Sequence, residues 1–128
     1  MAAVAARTGC GILCDVNNIF VSAQNHGWDA ATYIAALPPR VIGEIHLGGH
    51  SVRPTLDGGT LRIDDHRSRV IDEVWALYEA ALKRFGPVPT LIEWDKDVPP
   101  LNILLEEAAR AQRLLDAAKP EPAHANAA

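Results

Sequence analysis

Basic residues are outnumbered in this chain. Twelve lysines and arginines stand against sixteen aspartates and glutamates, leaving a formal charge of −4 and a pI near 5.7. No basic face is available to neutralise a phosphate backbone, which argues against a nucleic-acid partner. Long apolar runs are missing too. None reaches the roughly 18 residues that a membrane span requires, and Arg7 stands where a signal peptide would carry its apolar middle, so the expected location is the cytoplasm. There are only two cysteines, Cys10 and Cys14. Their C-x3-C spacing on one strand matches neither a zinc knuckle nor a thioredoxin motif, and both are expected to be reduced, buried packing residues. The sequence contains no G-x-S-x-G, no Walker loop and no G-x-G-x-x-G after a strand. Gly9-Cys10-Gly11 precedes a strand, so a dinucleotide fingerprint fails on context.

What is present is a 128-residue chain, 48% hydrophobic and 22% charged. That is enough for one globular domain and too little for two. MAAVAART reads as the last turns of a helix ending at Gly9, without an N-cap of its own, which suggests a fragment. Gly11 to Asn17 (GILCDVN) is a strand lacking polar alternation, as in parallel sheets covered on both faces. A polar loop, NNIFVSAQNHGW, leads to a short helix capped by Asp29 and stopped by Pro38-Pro39. RVIGEIHL is the second strand. After an Asp57-Gly58-Gly59 turn, TLRIDDH is a third strand and PTLIEW a fourth. A helix with its apolar stripe at Val70, Val74, Leu77, Tyr78, Ala81, Leu82 and Phe85, capped by Ser68, lies between those two strands. A final helix opens at Pro99-Pro100, with Leu101, Leu104, Leu105, Ala108 and Leu115 on its apolar side. Residues 119–128 are too poor in apolar side chains to fold, so the folded unit is placed at 1–118. The order is that of parallel βα units. Four of them make either a small doubly wound domain or one half of a TIM-type (β/α)8 barrel.

The polar residues fall at strand ends: Asp15-Val16-Asn17, Glu44-Ile45-His46, Asp64-Asp65-His66 and Glu93-Trp94-Asp95. Because strand side chains alternate, the first and third residues of such a triplet share a face. Barrel chemistry sits at the C-terminal ends of strands. Carboxylates, imidazoles and an amide oxygen meeting there, with no thiolate, suit iron, manganese or zinc. Taken singly, each residue has a plainer use: Asp15 could cap a loop, Asp65 could be solvated, and Glu93 could pair with Arg62 or Lys96. The coincidence over four segments points to a metal site. His26 lies in a loop, where turn packing and ligation are equal alternatives, and His124 lies in the tail. His50, just past Gly48-Gly49, is placed to act as a catalytic acid or base or to orient a ligand.

GILCDVNNIFVSAQNHG, GEIHLGGH, IDDH followed by VWALY, and GPVPTLIEWDKDVPPL occur in order. In this the chain resembles the C-terminal half of the multinuclear non-haem iron-dependent oxidative enzymes, up to about Ala117. The resemblance implies a xylose-isomerase-like barrel holding two or three irons. The implied activity is an oxygen-dependent oxidase or oxygenase that modifies cysteines of ribosomally made precursor peptides, aided by a peptide-binding partner protein. By position Asp15, Asn17, His46, Asp64, His66 and Glu93 match the family's metal-binding pattern, and Glu44 stands beside them.

The departures from the family are HLGGH for the more usual HLAGH, Asp65 at a position often held by a small hydroxyl residue, Cys14 at an aliphatic position, and length. The family's N-terminal half carries further histidines and a bridging glutamate. The chain is therefore expected either to be inactive alone or to complete its barrel by self-association or by pairing with such a half. The alternatives are a metal-dependent hydrolase or isomerase on the same barrel type, and a non-catalytic fragment.

Overall fold

The computed structural model describes residues 1–119; the expected tail lies outside them from residue 120 onward. Helix α1 (Ala2–Thr8) closes at Gly9, whose φ of 76° is the left-handed cap that glycine supplies without strain. Strand β1 (Ile12–Asp15) leads straight into α2 (Val16–His26), and α3 (Ala30–Ala36) and a 3-10 turn (Pro39–Val41) precede β2 (Ile42–Gly48). Then come the hairpin strands β3 (Ser51–Pro54) and β4 (Thr60–Ile63), helix α4 (Asp72–Phe85), strand β5 (Thr90–Glu93) and helix α5 (Leu101–Ala117).

The result is a mixed α/β fold with a three-stranded parallel sheet in the order β1-β2-β5. TLRI, expected as a parallel strand, is instead the second arm of an antiparallel hairpin with β3. The connection explains this: only the Asp57–Gly59 turn region separates β3 from β4, whereas a parallel crossover needs a dozen or more residues. The expected polar loop after β1 is helix α2. Asp15 caps it by accepting from the Asn18 N–H at 2.8 Å, and Val16, Phe20 and Ala23 form its buried stripe. Those same residues, read at helical spacing, were the available signal. Ser68 does not cap α4, which begins two residues later than its first apolar residue, with Ile71 at the N-cap. Asp29 does cap α3, through Thr32 N–H.

The sheet has one face covered by helices and one face bare. Ile12, Cys14, Ile45 and Leu47 point to the helices and are buried, joining Val74, Trp75, Tyr78 and Ala81 of α4. Burying a side chain of this size stabilises by about 1.5–3 kcal/mol. Helix α5 is fixed by Glu107, itself buried, which accepts from Val70 N–H at 3.0 Å and from Arg69 at 2.9 Å. On the other face Leu13 is 49% and Leu91 45% exposed. A register shift after Ile12 skips Gly43 and sets Glu44 opposite Leu13, so Glu44 and His46 share the bare face with Asp15 and Glu93.

The two cysteines part company. Cys10 is exposed, against expectation, whereas Cys14 is buried. Burial, reinforced by the Asp15 charge, pushes the Cys14 thiol up to about 11. Among the described residues no helix is long and apolar enough to cross a membrane.

Beyond β2 the chain turns in very little space. A Cβ on Gly49 would come within 2.1 Å of the Ser68 carbonyl oxygen, while one on Gly43 would meet nothing within 4 Å. Gly49→Ala is expected to destabilise the chain by about 1–3 kcal/mol through forced backbone displacement. Gly43→Ala should leave the thermal midpoint close to that of the parent. Equal midpoints for both variants would contradict this packing.

Candidate metal centre

Parallel pairing brings the strand ends level. Asp15 pairs with His46, and Glu93 with Gly48. Asp64 and His66 arrive from the segment after the hairpin. Asp15, His46 and Glu93 can each direct one ligand atom to within 4.8 Å of the others, as can Asp15, Asp64 and His66, and also His66, Glu93 and Asp95. The three groups overlap in Asp15, His66 and Glu93, giving one connected cluster.

The local contacts are those of a crowded acidic site. His46 Nδ1 donates to Glu93 Oε2 at 3.1 Å, and its Nε2 lies 3.4 Å from Glu44. His66 Nδ1 donates to Asp95 at 3.1 Å and lies 3.5 Å from Glu93. His66 Nε2 is 3.0 Å from Asp64 Oδ1, yet it is buried and not aligned for a hydrogen bond with any partner. A buried imidazole nitrogen without a hydrogen bond, facing carboxylates, fits a cation ligand. His66 also adopts a left-handed backbone, φ 46°, which is uncommon outside glycine. It is pinned there by His66 N–H to the Gly49 carbonyl (3.1 Å) and Asp95 N–H to the His66 carbonyl (2.9 Å). Gly48 makes room for the ring, since a Cβ there would lie 2.8 Å from His66 Cδ2.

Of the residues expected from sequence, Asp15, His46, Asp64, His66 and Glu93 come together. Glu44 reaches only His46, is half exposed and lies outside the three groups. Asn17 is not a strand residue beside Asp15; it sits in the first turn of α2, fully buried. His50 is buried, with Nδ1 2.9 Å from Asn17 Oδ1 and Nε2 2.9 Å from Arg62 Nη1. Asp95 was missed as a site residue, although Glu93-x-Asp95 repeats the one-residue spacing of the other pairs. The plainer uses divide: Asp15 does cap a helix, Asp65 is not simply solvated but accepts from Ser51 at 2.5 Å, and Glu93 is engaged by His46 and His66.

The electrostatics follow from burial and crowding. Burial raises the Asp15 carboxyl above its usual range, with the Asp64 charge adding to it, against the Asn18 N–H and the two imidazoles. Burial lowers His50, helped by the Arg62 guanidinium and opposed by nearby carboxylates. Burial would also lower His66, but the Asp95 hydrogen bond and the charges of Asp64, Glu93 and Asp15 outweigh it, and His66 is raised.

Fold and cluster together define a mixed α/β protein whose acidic and histidine groups can hold a metal at the C-terminal ends of parallel strands. The chain belongs to the family described as RiPP precursor modification enzyme MbnB/TglH/ChrH, whose family model matches residues 1–116. It is 52% identical over 115 residues to a UPF0276 protein of Rhizorhabdus wittichii, a match covering 90% of this chain and 40% of that one. A UPF0276 protein of Chromobacterium violaceum is 53% identical over 111 residues, 87% of this chain and 38% of its own. The one from Caulobacter vibrioides is 51% identical over 124 residues, 95% and 44%. The chain thus spans about two fifths of the length of the curated relatives it matches.

The raised His66 carries a pH signature. A histidine whose folded pKa exceeds its free value of about 6.5 contributes stability that is fully present below that value and lost as pH rises through the folded pKa. The lowered His50 works in the opposite sense, so the comparison must isolate His66. In the presence of chelator, His66→Asn, which tolerates positive φ, is expected to cost more stability at about pH 5.5 than at about pH 8.5. Denaturant midpoints of parent and variant at the two pH values check this; a pH-independent difference would refute it.

Proposed function

We propose that this chain carries one side of the metal site of an iron-dependent oxidative enzyme that modifies cysteine residues of a ribosomally made precursor peptide. The observation supporting it is the meeting of Asp15, His46, Asp64, His66, Glu93 and Asp95 at one end of a parallel sheet, in a chain that belongs to a precursor-modifying family. Iron would supply the redox capacity that carboxylates and imidazoles lack; manganese and zinc suit the same donors. The overlapping groups offer enough carboxylate charge for more than one cation. His46 and His66 each tie one ring nitrogen to a carboxylate, the usual way a protein fixes the orientation of a ligating imidazole.

The bare sheet face and the free edges of β1 and β5 are read as the inner wall and open seams of a (β/α)8 barrel. In the longer relatives, the portion this chain does not span is the proposed cover, supplying further strands and ligands. Leu13 and Leu91 would then be buried beneath the metal cluster, closing it off from below. The peptide and any peptide-binding partner would approach from the loop end, where Asp95 and Glu44 remain exposed.

Ferrous loading of the purified chain under anaerobic conditions, with metal content and molecular size read from the same sample, tests the reading. Bound iron that Glu93→Gln and His66→Asn each reduce at least about tenfold in affinity is the expected result. A monomer that takes up no iron after reconstitution would overturn the proposal that this chain contributes a metal site.

A further inference from the structure

The polar groups around His50 admit one consistent arrangement of protons. Arg62 Nη1 lies 2.9 Å from His50 Nε2, and a guanidinium has donors only, so Nε2 accepts. The neutral ring then carries its proton on Nδ1, and Asn17 Oδ1, 2.9 Å away, accepts it. Asn17 Nδ2 is left to donate, to the Gly49 carbonyl at 3.3 Å and to Asp64 Oδ1. Reversing the amide would set its oxygen against a carbonyl and a carboxylate, and its NH2 against the ring N–H. With Asn17 and His50 buried, an error of that kind costs about 1–3 kcal/mol for each unmatched group.

The head of this chain is firmly held. Arg62 lies on β4, its guanidinium 5.2 Å over the Phe20 ring, and its backbone N–H and C=O both bond the Asn25 side chain at 2.9 Å. Phe20 packs 5.4 Å from the His50 ring. At the other end, Asn18 Nδ2 donates to Asp64 Oδ2 at 3.0 Å, so each carboxylate oxygen of Asp64 is held by an amide of α2.

We propose that Arg62, through the tautomer of His50, orients the Asn17 amide so that Asn17 holds Asp64 as a hydrogen-bond donor and is not an oxygen ligand. Arg62, His50 and Asn17 are positioning residues in this account, and the hairpin β3–β4 reaches the metal cluster through them. Their role toward Asp64 as a ligand rests on the metal reading above; the orientation itself does not.

Nitrogen-15 spectra of the histidine rings in the metal-free parent chain read the tautomer directly. His50 is expected to carry its proton on Nδ1, with Nε2 in the unprotonated, hydrogen-bond-accepting range. Arg62→Met should shift it toward a mixture of tautomers, and Arg62→Lys, which also only donates, should restore the parent pattern. A proton on Nε2 in the parent overturns the proposal, as does an unaltered tautomer in Arg62→Met. Ferrous-ion titration of Asn17→Asp, checked for folding by circular dichroism, gives the second reading. An oxygen ligand would survive this substitution with affinity kept or raised. A donor would not, and affinity is expected to fall about tenfold or more. If the parent binds no metal, the metal reading fails, while the ring spectra still decide the orientation.

Discussion

Negative charge gathered at one end of the parallel sheet constrains everything built around it. Asp15, Asp64, Glu93 and Asp95 approach one another through shared neighbours. Like charges about 4 Å apart in a partly buried site repel by about 4 kcal/mol at an effective dielectric of about 20. In the chain as it stands the offset comes from His46 and His66, threaded between the carboxylates, and from amide donors on Asn17 and Asn18. Burial is the main cause of the raised Asp15 carboxyl, and His66 is raised, against its own burial, by the Asp95 hydrogen bond and the surrounding carboxylates; the Asp64 charge acting on Asp15 reports the remaining repulsion. A bound cation would remove it, which is why the same cluster reads as a ligand set.

Holding such groups together demands a stiff support, and the covered face of the sheet supplies it. Ile45 and Leu47 alternate with Glu44 and His46 on one strand, so the residues that anchor β2 in the core also aim the polar ones outward. Close approach finishes the placement. Gly48 admits the His66 ring and Gly49 admits the Ser68 carbonyl, so the segment carrying Asp64 and His66 lies directly against the end of β2. Helix α2 starts from Asp15 itself, whose carboxylate serves both the helix cap and the cluster.

Much of this was legible in the residues. Asp15, Glu44–His46 and Glu93 stand out as charged groups interrupting apolar strands, and period-two alternation correctly put Glu44 and His46 on one face. Helices α3 and α5 were marked by Asp29 and by Pro99-Pro100. The errors have local causes. Asparagines and a serine in NNIFVSAQNHGW masked a helical stripe, because their preference for turns yields when Phe20 and Ala23 have a core to join. TLRI has strand composition, but composition does not reveal the partner, and a short turn chose the antiparallel hairpin. Asn17 was placed by strand alternation in a segment where the period had already changed from two to 3.6.

The sequence by itself determined the order of α and β segments, the acidic balance, and the residues with metal-ligating chemistry, because these depend on side-chain type and on spacing within a few residues. Tertiary structure alone decided that β1, β2 and β5 pair in parallel, that Asp95 joins the cluster and Glu44 stays at its margin, and that Asn17 and His50 face each other rather than solvent. Those outcomes depend on contacts between residues far apart in the sequence, such as Asn17 with His50 and Asp64. No local preference encodes them; packing of the covered face against α4 and the close turns at Gly48 and Gly49 bring those residues within reach.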